Sequence, residues 1–170
     1  MIENIEIKAG NVARQRAASL LTAAFTPGAW RGVVWATPDQ GLLAFNRDKE
    51  VICHVGIVLR GAAWNGRAVK IGGISGVTTR EDSRRQGVAS AVMRRATQEI
   101  QETFKADFGL LFCKPRNASL YTGLGWQSFK GDVLVVQPRG QVRFDVLDTY
   151  VFALKMAPGT GVLDLCGPPW

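Results

Sequence analysis

The amino-acid sequence predicts a mixed α/β fold built round a central antiparallel meander. Runs that read as strands recur along the chain between turn signals, and the first, Ile2 to Lys8, alternates apolar and charged residues as a half-buried strand does. Asn65-Gly66, a strong tight-turn signal, separates two of these runs. The stretch from Val77 to Met93 reads as a strand, then a turn rich in Arg and Gly, then an amphipathic helix.

The elements follow in order. Ile2 to Lys8 alternates apolar and charged residues and predicts a first strand. Asn11 is placed to cap a helix over Val12–Phe25, which Pro27-Gly28 closes. A second short helix is expected over Ala29–Trp35, ended by Thr37-Pro38. Gln40–Arg47 and Glu50–Arg60 predict a hairpin around Asn46-Arg47-Asp48-Lys49. The turn at Asn65-Gly66 leads into a strand over Ala68–Thr79, followed by a helix over Arg85–Phe104. An apolar strand at Phe108–Cys113 and a helix at Arg116–Leu124 come next, and Val133–Gln137 and Tyr150–Met156 finish the sheet.

The length of 170 residues suits one domain, 1–170, with a single substantial core. No apolar run approaches the ~18–20 residues that span a bilayer. Met1-Ile2-Glu3-Asn4 lacks the basic segment and apolar core of a secretion signal, so a cytoplasmic protein without membrane contact is expected. Cys53, Cys113 and Cys166 are odd in number and widely spaced, which predicts reduced, buried thiols, no disulfide framework and no zinc site. The net charge of +7, from 21 Lys and Arg against 14 Asp and Glu, is of the kind that nucleic-acid binders carry. Here the basic residues are spread along the chain, with no basic helix interleaved with aromatics, and nucleic acid is not expected as a partner. The local cluster is Arg80, Arg84, Arg85, Arg94 and Arg95.

That cluster borders the strand–turn–helix unit. The first N–H groups of a helix have no intrahelical acceptor, and the aligned peptide dipoles add positive potential there. A phosphate or pyrophosphate is well served at such an end. Gly87 and Ala89 are small enough for a ligand to approach the main chain, with Arg84 and Arg85 beside it. Neither the Lys-Ser/Thr of a P-loop nor the G-x-G-x-x-G of a dinucleotide fold is present.

Arg84-x-x-Gly87-x-Ala89 resembles the acyl-CoA signature Q/R-x-x-G-x-G/A of the GNAT N-acetyltransferases. A second match lies some thirty residues on, where Asn117–Trp126 resembles the family's later helix with its Tyr-x-x-x-Gly-aromatic ending. The resemblance implies the GNAT fold, a mixed and mostly antiparallel sheet with helices on both faces. In that fold the Gly73–Thr79 strand splays from the Phe108–Cys113 strand, and the pantetheine arm of acetyl-CoA lies in the gap. It implies acetyl-CoA as acyl donor, held by Val77, Thr78, Thr79, Arg84, Arg85, Gln86, Gly87, Val88, Ala89 and Ser90, with no metal. Main-chain groups of Val77 and Thr79 would pair with pantetheine amides, and an N–H near Val77 would polarise the acetyl carbonyl. Tyr121 falls where the family carries the tyrosine that protonates the leaving thiolate, work a phenol can do. Homodimers are common in the family.

Within that superfamily the chain is most similar to aminoglycoside 2′-N-acetyltransferases, over most of its length after about Cys53. His54-Val55-Gly56-Ile57-Val58 with Gly66-Arg67-Ala68, Leu120-Tyr121 with Gly125-Trp126, and the ending Leu163–Trp170 carry the likeness. The resemblance implies a tail stiffened by Pro168-Pro169 whose Trp170 carboxylate reaches the acceptor site. Two departures stand out. Ser75 replaces a Glu before Gly76, and no carboxylate occurs around Gly28-Ala29-Trp30. With fewer acids and a positive net charge, an amino-sugar antibiotic of low positive charge is the expected acceptor, kasugamycin for example, with transfer directly in a ternary complex. Trp30, Ser75, Gly76, Asp148 and Trp170 are the candidate acceptor-binding residues. Asp148, Asp145 or the Trp170 carboxylate would remove the ammonium proton, through water.

His54, the single histidine, reads as a buried structural residue. Trp30, Trp35 and Trp64 read either as core or as lining of an acceptor pocket. Two other functions stay open: acetylation of a metabolite amine or protein N-terminus, and a non-catalytic acyl-CoA sensor, against which Tyr121 argues.

Overall fold

The computed structural model describes residues 1–26 and 30–170. Ten strands form one mixed sheet. β1 (Asn4–Ala9) is followed by helices α1 (Gly10–Arg16) and α2 (Ala18–Ala24). β2 (Gln40–Phe45), β3 (Val51–Trp64) and β4 (Arg67–Thr79) make the predicted meander. A 3₁₀ turn at Glu81–Ser83 leads to α3 (Val88–Glu102) and β5 (Phe108–Cys113). A second 3₁₀ turn at Pro115–Asn117 runs into α4 (Ala118–Thr122). The remaining strands are β6 (Gln127–Ser128), β7 (Asp132–Gln137), β8 (Gly140–Arg143), β9 (Asp148–Ala153) and β10 (Val162–Asp164).

The main strand order is β6-β9-β5-β4-β3-β10-β7-β8, and β2, carrying β1, joins the N-terminal half of β3. The long β3 therefore meets β2 over Val51–Ile57 and β10 over Ala63–Trp64. The β3–β4 turn is a two-residue hairpin with Asn65 at φ +49 and Gly66 at φ +77, as the Asn-Gly pair predicted. β4 and β5 run parallel, with α3 as the crossover between them.

Side chains divide by strand alternation onto two faces. One face carries Val55, Ile57, Ile74 and Leu111 against Val92, Met93, Ala96 and Ile100 of α3. These helix positions recur at helical spacing, which is why this segment holds as an amphipathic helix. The opposite face carries Val58, Ile71, Leu110 and Val151 against Phe144, Leu163, Leu165 and Trp170. Gly72-Gly73 serves both faces, because a side chain on Gly72 would overlap Ile100 and one on Gly73 would overlap the Trp170 indole. Among the described residues no helix is long and apolar enough to cross a membrane.

Several expected elements differ. The Val12–Phe25 helix is two helices, broken at Ala17 (φ −97°, ψ 11°), which seats Ala13 and Ala17 on Leu43 and Phe45. Ala9, not Asn11, precedes the first turn, since the buried Gly10 lies so close to Pro38 that a side chain there would overlap it. Residues 30–32 form a turn and 33–38 are irregular, so the helix expected over Ala29–Trp35 is absent from its described part. Ala29, and the expected stop at Pro27-Gly28, lie outside the described residues. The Arg85–Phe104 helix begins only at Val88, because Arg85 (φ +58°) and Gly87 (φ +77°) take left-handed conformations that end the turn before it. β6, β8 and β10 are two, four and three residues long and carry too little pattern to be read from sequence.

Candidate active site

β4 and β5 pair only from Ile71–Phe108 to Ile74–Leu111. Beyond that both strands continue, to Thr79 and Cys113, without pairing, so the sheet opens between them. On its other edge β4 stays with β3, but the register slips between His54–Thr78 and Gly56–Ser75. Gly76 and Val77 therefore face Val55 alone, with Gly76 at φ +57°. A bulge of this kind bends a strand and re-aims the backbone beside it. His54 meets the bulge directly, its Nδ1 lying 2.8 Å from the Gly76 carbonyl oxygen. Burial pushes the imidazole below its ordinary value and outweighs that hydrogen bond, so the ring is neutral at pH 7. Facing a carbonyl, Nδ1 carries the proton and donates.

The turn after β4 leads to the start of α3. Gly87 precedes the helix with no side chain capping it, which leaves the first N–H groups of α3, from Val88 through Ser90, open to a ligand. Arg84 and Arg85 are exposed beside this end. Arg84 Nε donates to the Thr79 carbonyl at 3.1 Å, so one of the two main-chain positions expected to face pantetheine has its oxygen engaged. Gln86 Nε2 donates to the Asp82 carbonyl at 2.8 Å and braces the turn. Arg80 departs from the expected cluster, because Glu50 and Asp82 each hold it at 2.7 Å and neutralise it. Arg95 is likewise paired with Glu99.

Tyr121 projects from α4 into the α3 side of the sheet, where it is 6% exposed within the cluster that holds Cys53, Cys113 and Tyr150. Burial raises its phenol well above the ordinary tyrosine value, with smaller contributions from the two cysteines. Cys53 is pushed up to about 11 by burial, against weaker opposing bonds with Thr79 and the His54 backbone. Cys113 is also pushed up to about 11, by burial and by the nearby Asp148 carboxylate. All three groups hold their protons at neutral pH, which suits Tyr121 to donate one and makes the thiols poor nucleophiles.

The other face of the opening is lined differently. Ser75 stands beside Pro38 there, opposite Gly56, where a side chain would meet both. A train of aromatic rings crosses this face, from Trp30 to Trp35 (6.3 Å), Phe144 (5.8 Å), Phe112 (4.9 Å) and Trp170 (5.6 Å). Trp170 Nε1 donates to the Leu110 carbonyl at 3.3 Å. Arg60 stacks on the indole and donates to the carbonyls of Leu165 and Pro168 at 3.2 and 3.1 Å, which ties the tail to the sheet. Lys114 lies over Trp30.

Trp30, Ser75 and Trp170 thus share one face, whereas Tyr121 belongs to the other, and the opening joins the two. Asp148 does not join Trp170. It pairs with Cys113 at the start of β9, on the Tyr150 side by strand alternation, and is exposed. Asp145 is exposed in the β8–β9 connection, and Cys166, expected as a buried thiol, is exposed where the chain turns after β10 at φ +51°. Trp64 lies apart at the far end of β3, bonded to Thr160. Gly28 and Ala29 lie outside the described residues. Sequence reasoning missed Arg60, Phe112, Lys114 and Phe144, whose only signal was apolar or basic character. Among the described residues no group of three or more His, Cys, Asp or Glu side chains is placed to hold a metal.

A family model described as an acetyltransferase (GNAT) domain matches residues 17–129. An aminoglycoside 2′-N-acetyltransferase from Mycolicibacterium fortuitum is 30% identical over 112 residues, 66% of this chain and 56% of that protein. The match therefore spans little more than half of that relative. The fold is similar to that of YhbS, a GNAT family N-acetyltransferase from Escherichia coli solved in complex with CoA (TM-score 0.69, 17% identity, 97% of this chain and 90% of that one). It is also similar to that of Escherichia coli ElaA (TM-score 0.62, 14% identity, 91% and 100%).

Proposed function

The chain belongs to the GNAT acetyltransferase family, and from that premise we propose that it transfers an acetyl group from acetyl-CoA to a primary amine of an amino-sugar antibiotic of low positive charge. One observation carries this reading: the opening between β4 and β5 has a buried proton donor on one face and an aromatic-lined surface on the other. Acetyl-CoA supplies the activated thioester as a substrate.

In this reading the N–H groups of Val88, Ala89 and Ser90 receive the pyrophosphate, with Gly87 shaping the turn and Arg84, Arg85 and Gln86 flanking it. Val77, Thr78 and Thr79 run beside the pantetheine arm. The amine enters on the face of Trp30, Ser75, Gly76 and Trp170. Its lone pair forms the new N–C bond as the C–S bond breaks, Tyr121 gives its proton to the departing sulfur, and the proton shed by the acylated nitrogen returns through water to restore the phenol. Before attack the ammonium proton passes through water to the Trp170 carboxylate, the expected base on the face the amine enters, since Asp148 lies on the Tyr150 side. We take transfer to be direct, in a ternary complex, a reading supported by the burial that holds Cys53 and Cys113 beside the opening as thiols, poor nucleophiles for an acyl-enzyme.

The acceptor class is supported by the aminoglycoside 2′-N-acetyltransferase relative and qualified by charge. Ser75, Arg60 and Lys114 line the acceptor face, where the carboxylate of the neighbouring Asp39, which takes the Leu59 N–H at 2.7 Å, is already near the Arg60 guanidinium. A polycation gains little there, and the net charge of +7 slows its approach. Comparing kcat/KM for kasugamycin with that for a polycationic aminoglycoside tests the reading. The higher value belongs to kasugamycin; equal or reversed values would overturn the charge argument.

A further inference from the structure

We propose that His54 is a positioning residue for acyl transfer, its Nδ1–H holding the Gly76 carbonyl and so fixing the β4 bulge that aims the Val77 main chain at the acyl carbonyl. This rests on the acetyltransferase reading above and adds to it a residue that touches neither substrate. The register slip of one residue takes the Gly76 segment out of the regular β3–β4 ladder, and the imidazole supplies a donor there at 2.8 Å. Without that anchor the strand can return to an unbulged register, and a one-residue slip turns every later side chain to the other face.

The setting of the ring favours this role over simple packing. A side chain on Gly76 would come 3.2 and 3.3 Å from Cε1 and Nδ1, and one on Gly41 would come 3.2 Å from Nε2. Gly76 therefore makes room for the ring, while Gly41 on its other side makes room for the ring and, more tightly, for Ala13. Its Nε2 is buried with no hydrogen-bond partner among the described residues. A leucine or phenylalanine would fill the same space without a buried, unpartnered ring nitrogen, but would leave the Gly76 carbonyl without its donor. What the imidazole offers and they lack is the Nδ1–H directed at the bulge.

His54→Asn, His54→Gln and His54→Leu separate the two roles, since the Asn amide nitrogen reaches the Nδ1 position whereas that of Gln reaches the Nε2 position. Each variant is compared with the wild type by calorimetry of acetyl-CoA binding and by isotope-edited infrared spectra of bound acetyl-CoA labelled at the acetyl carbonyl. The carbonyl band moves to lower wavenumber on binding to the wild type and to His54→Asn, and returns towards its free position in His54→Gln and His54→Leu. Acetyl-CoA affinity falls less than kcat, because the pyrophosphate contacts at the α3 end do not involve the bulge although the pantetheine contact of Val77 does. The fall in kcat is roughly ten- to hundredfold in the last two variants. A band equally shifted in all variants, or unshifted in a wild type that binds acetyl-CoA, overturns the proposal and leaves the acetyltransferase reading standing. A wild type that binds no acetyl-CoA defeats that reading itself. Should His54→Gln and His54→Leu fail to fold, ¹⁵N shifts of the single histidine in the wild type decide: an Nε2-protonated tautomer overturns the proposal, and an Nδ1-protonated one upholds it.

Discussion

The indole of Trp170 occupies the space that a side chain at Gly73 would fill, ninety-seven positions earlier in the chain and on the middle of β4. The contact brings the tail onto the aromatic-lined face beside Phe112, next to the point where β4 and β5 part. It also makes Gly73 a position where one methyl group has a defined cost.

Gly73→Ala forces the indole to move and lowers stability by about 1–3 kcal/mol, the usual penalty of overpacking. Gly61→Ala is the control, since a side chain there meets nothing within 4 Å, and it stays within about 0.5 kcal/mol of the wild type. Denaturant unfolding of the two variants measures the difference. Equal stabilities would mean that the tail is not seated on β4.

Tyr121→Phe keeps the ring in its buried cluster and removes the proton. Turnover falls by roughly ten- to ten-thousand-fold, while acetyl-CoA binding is retained. Because burial raises the phenol above its ordinary value, the wild-type rate shows no loss from Tyr121 ionisation as pH rises to 10. Wild-type turnover in the variant would reduce Tyr121 to a packing residue.

Stability has two pH limbs. The unfolded chain releases the Cys53 proton near 9, whereas the folded chain keeps it to about 11, so stability present below pH 9 is lost as pH rises through 11. The contribution of this thiol is roughly 2–3 kcal/mol; Cys113, also raised to about 11, adds a limb of the same sign, so Cys53→Ala lessens the alkaline slope without removing it. His54 is depressed by burial, so its contribution is present above pH 6.5 and is lost as pH falls below it. Unfolding free energies from pH 5 to 11 should show both limbs, the acid one being reduced in His54→Asn.

Gly87→Val acts twice. With nothing within 4 Å of the added carbon, its folding cost comes from φ +77° alone, roughly 1–2 kcal/mol, before the added difficulty of a β-branched residue there. Acetyl-CoA affinity falls further than that strain explains, because the methyl groups stand over the N–H groups of α3. Gly87→Asn tolerates the same φ and separates the two effects. Unchanged affinity in Gly87→Val, measured by calorimetry, would remove the α3 end from the donor site.

What the sequence disclosed was local or periodic. Phe108–Cys113 matches β5 residue for residue, and Asn65-Gly66 forms its turn, because an apolar run and a dihedral preference need no distant partner. The strand–turn–helix unit was legible for the same reason, although two left-handed residues delay the start of α3. The pairing of His54 with Gly76 depends on a register slip, and that of Trp170 with Gly73 on where a tail returns; neither leaves a mark on its neighbours. Likewise, three tryptophans looked equivalent in sequence, and only Trp30 and Trp35 lie in the aromatic train, with Trp64 bonded at the far end of β3. Arg80 belonged to the basic cluster by position and is neutralised by Glu50, thirty residues away.

Transfer of labelled acetyl from acetyl-CoA to an amine tests the account most directly. The purified protein is incubated with acetyl-CoA and amino-sugar acceptors, and thiol release and labelled amide product are counted together. The account predicts one acetylated amine for each thiol released, with initial rates that depend on both substrates in the intersecting pattern of a ternary complex. Acetyl-CoA bound tightly with no amide formed on any acceptor would contradict it, and would leave the protein as an acyl-CoA sensor.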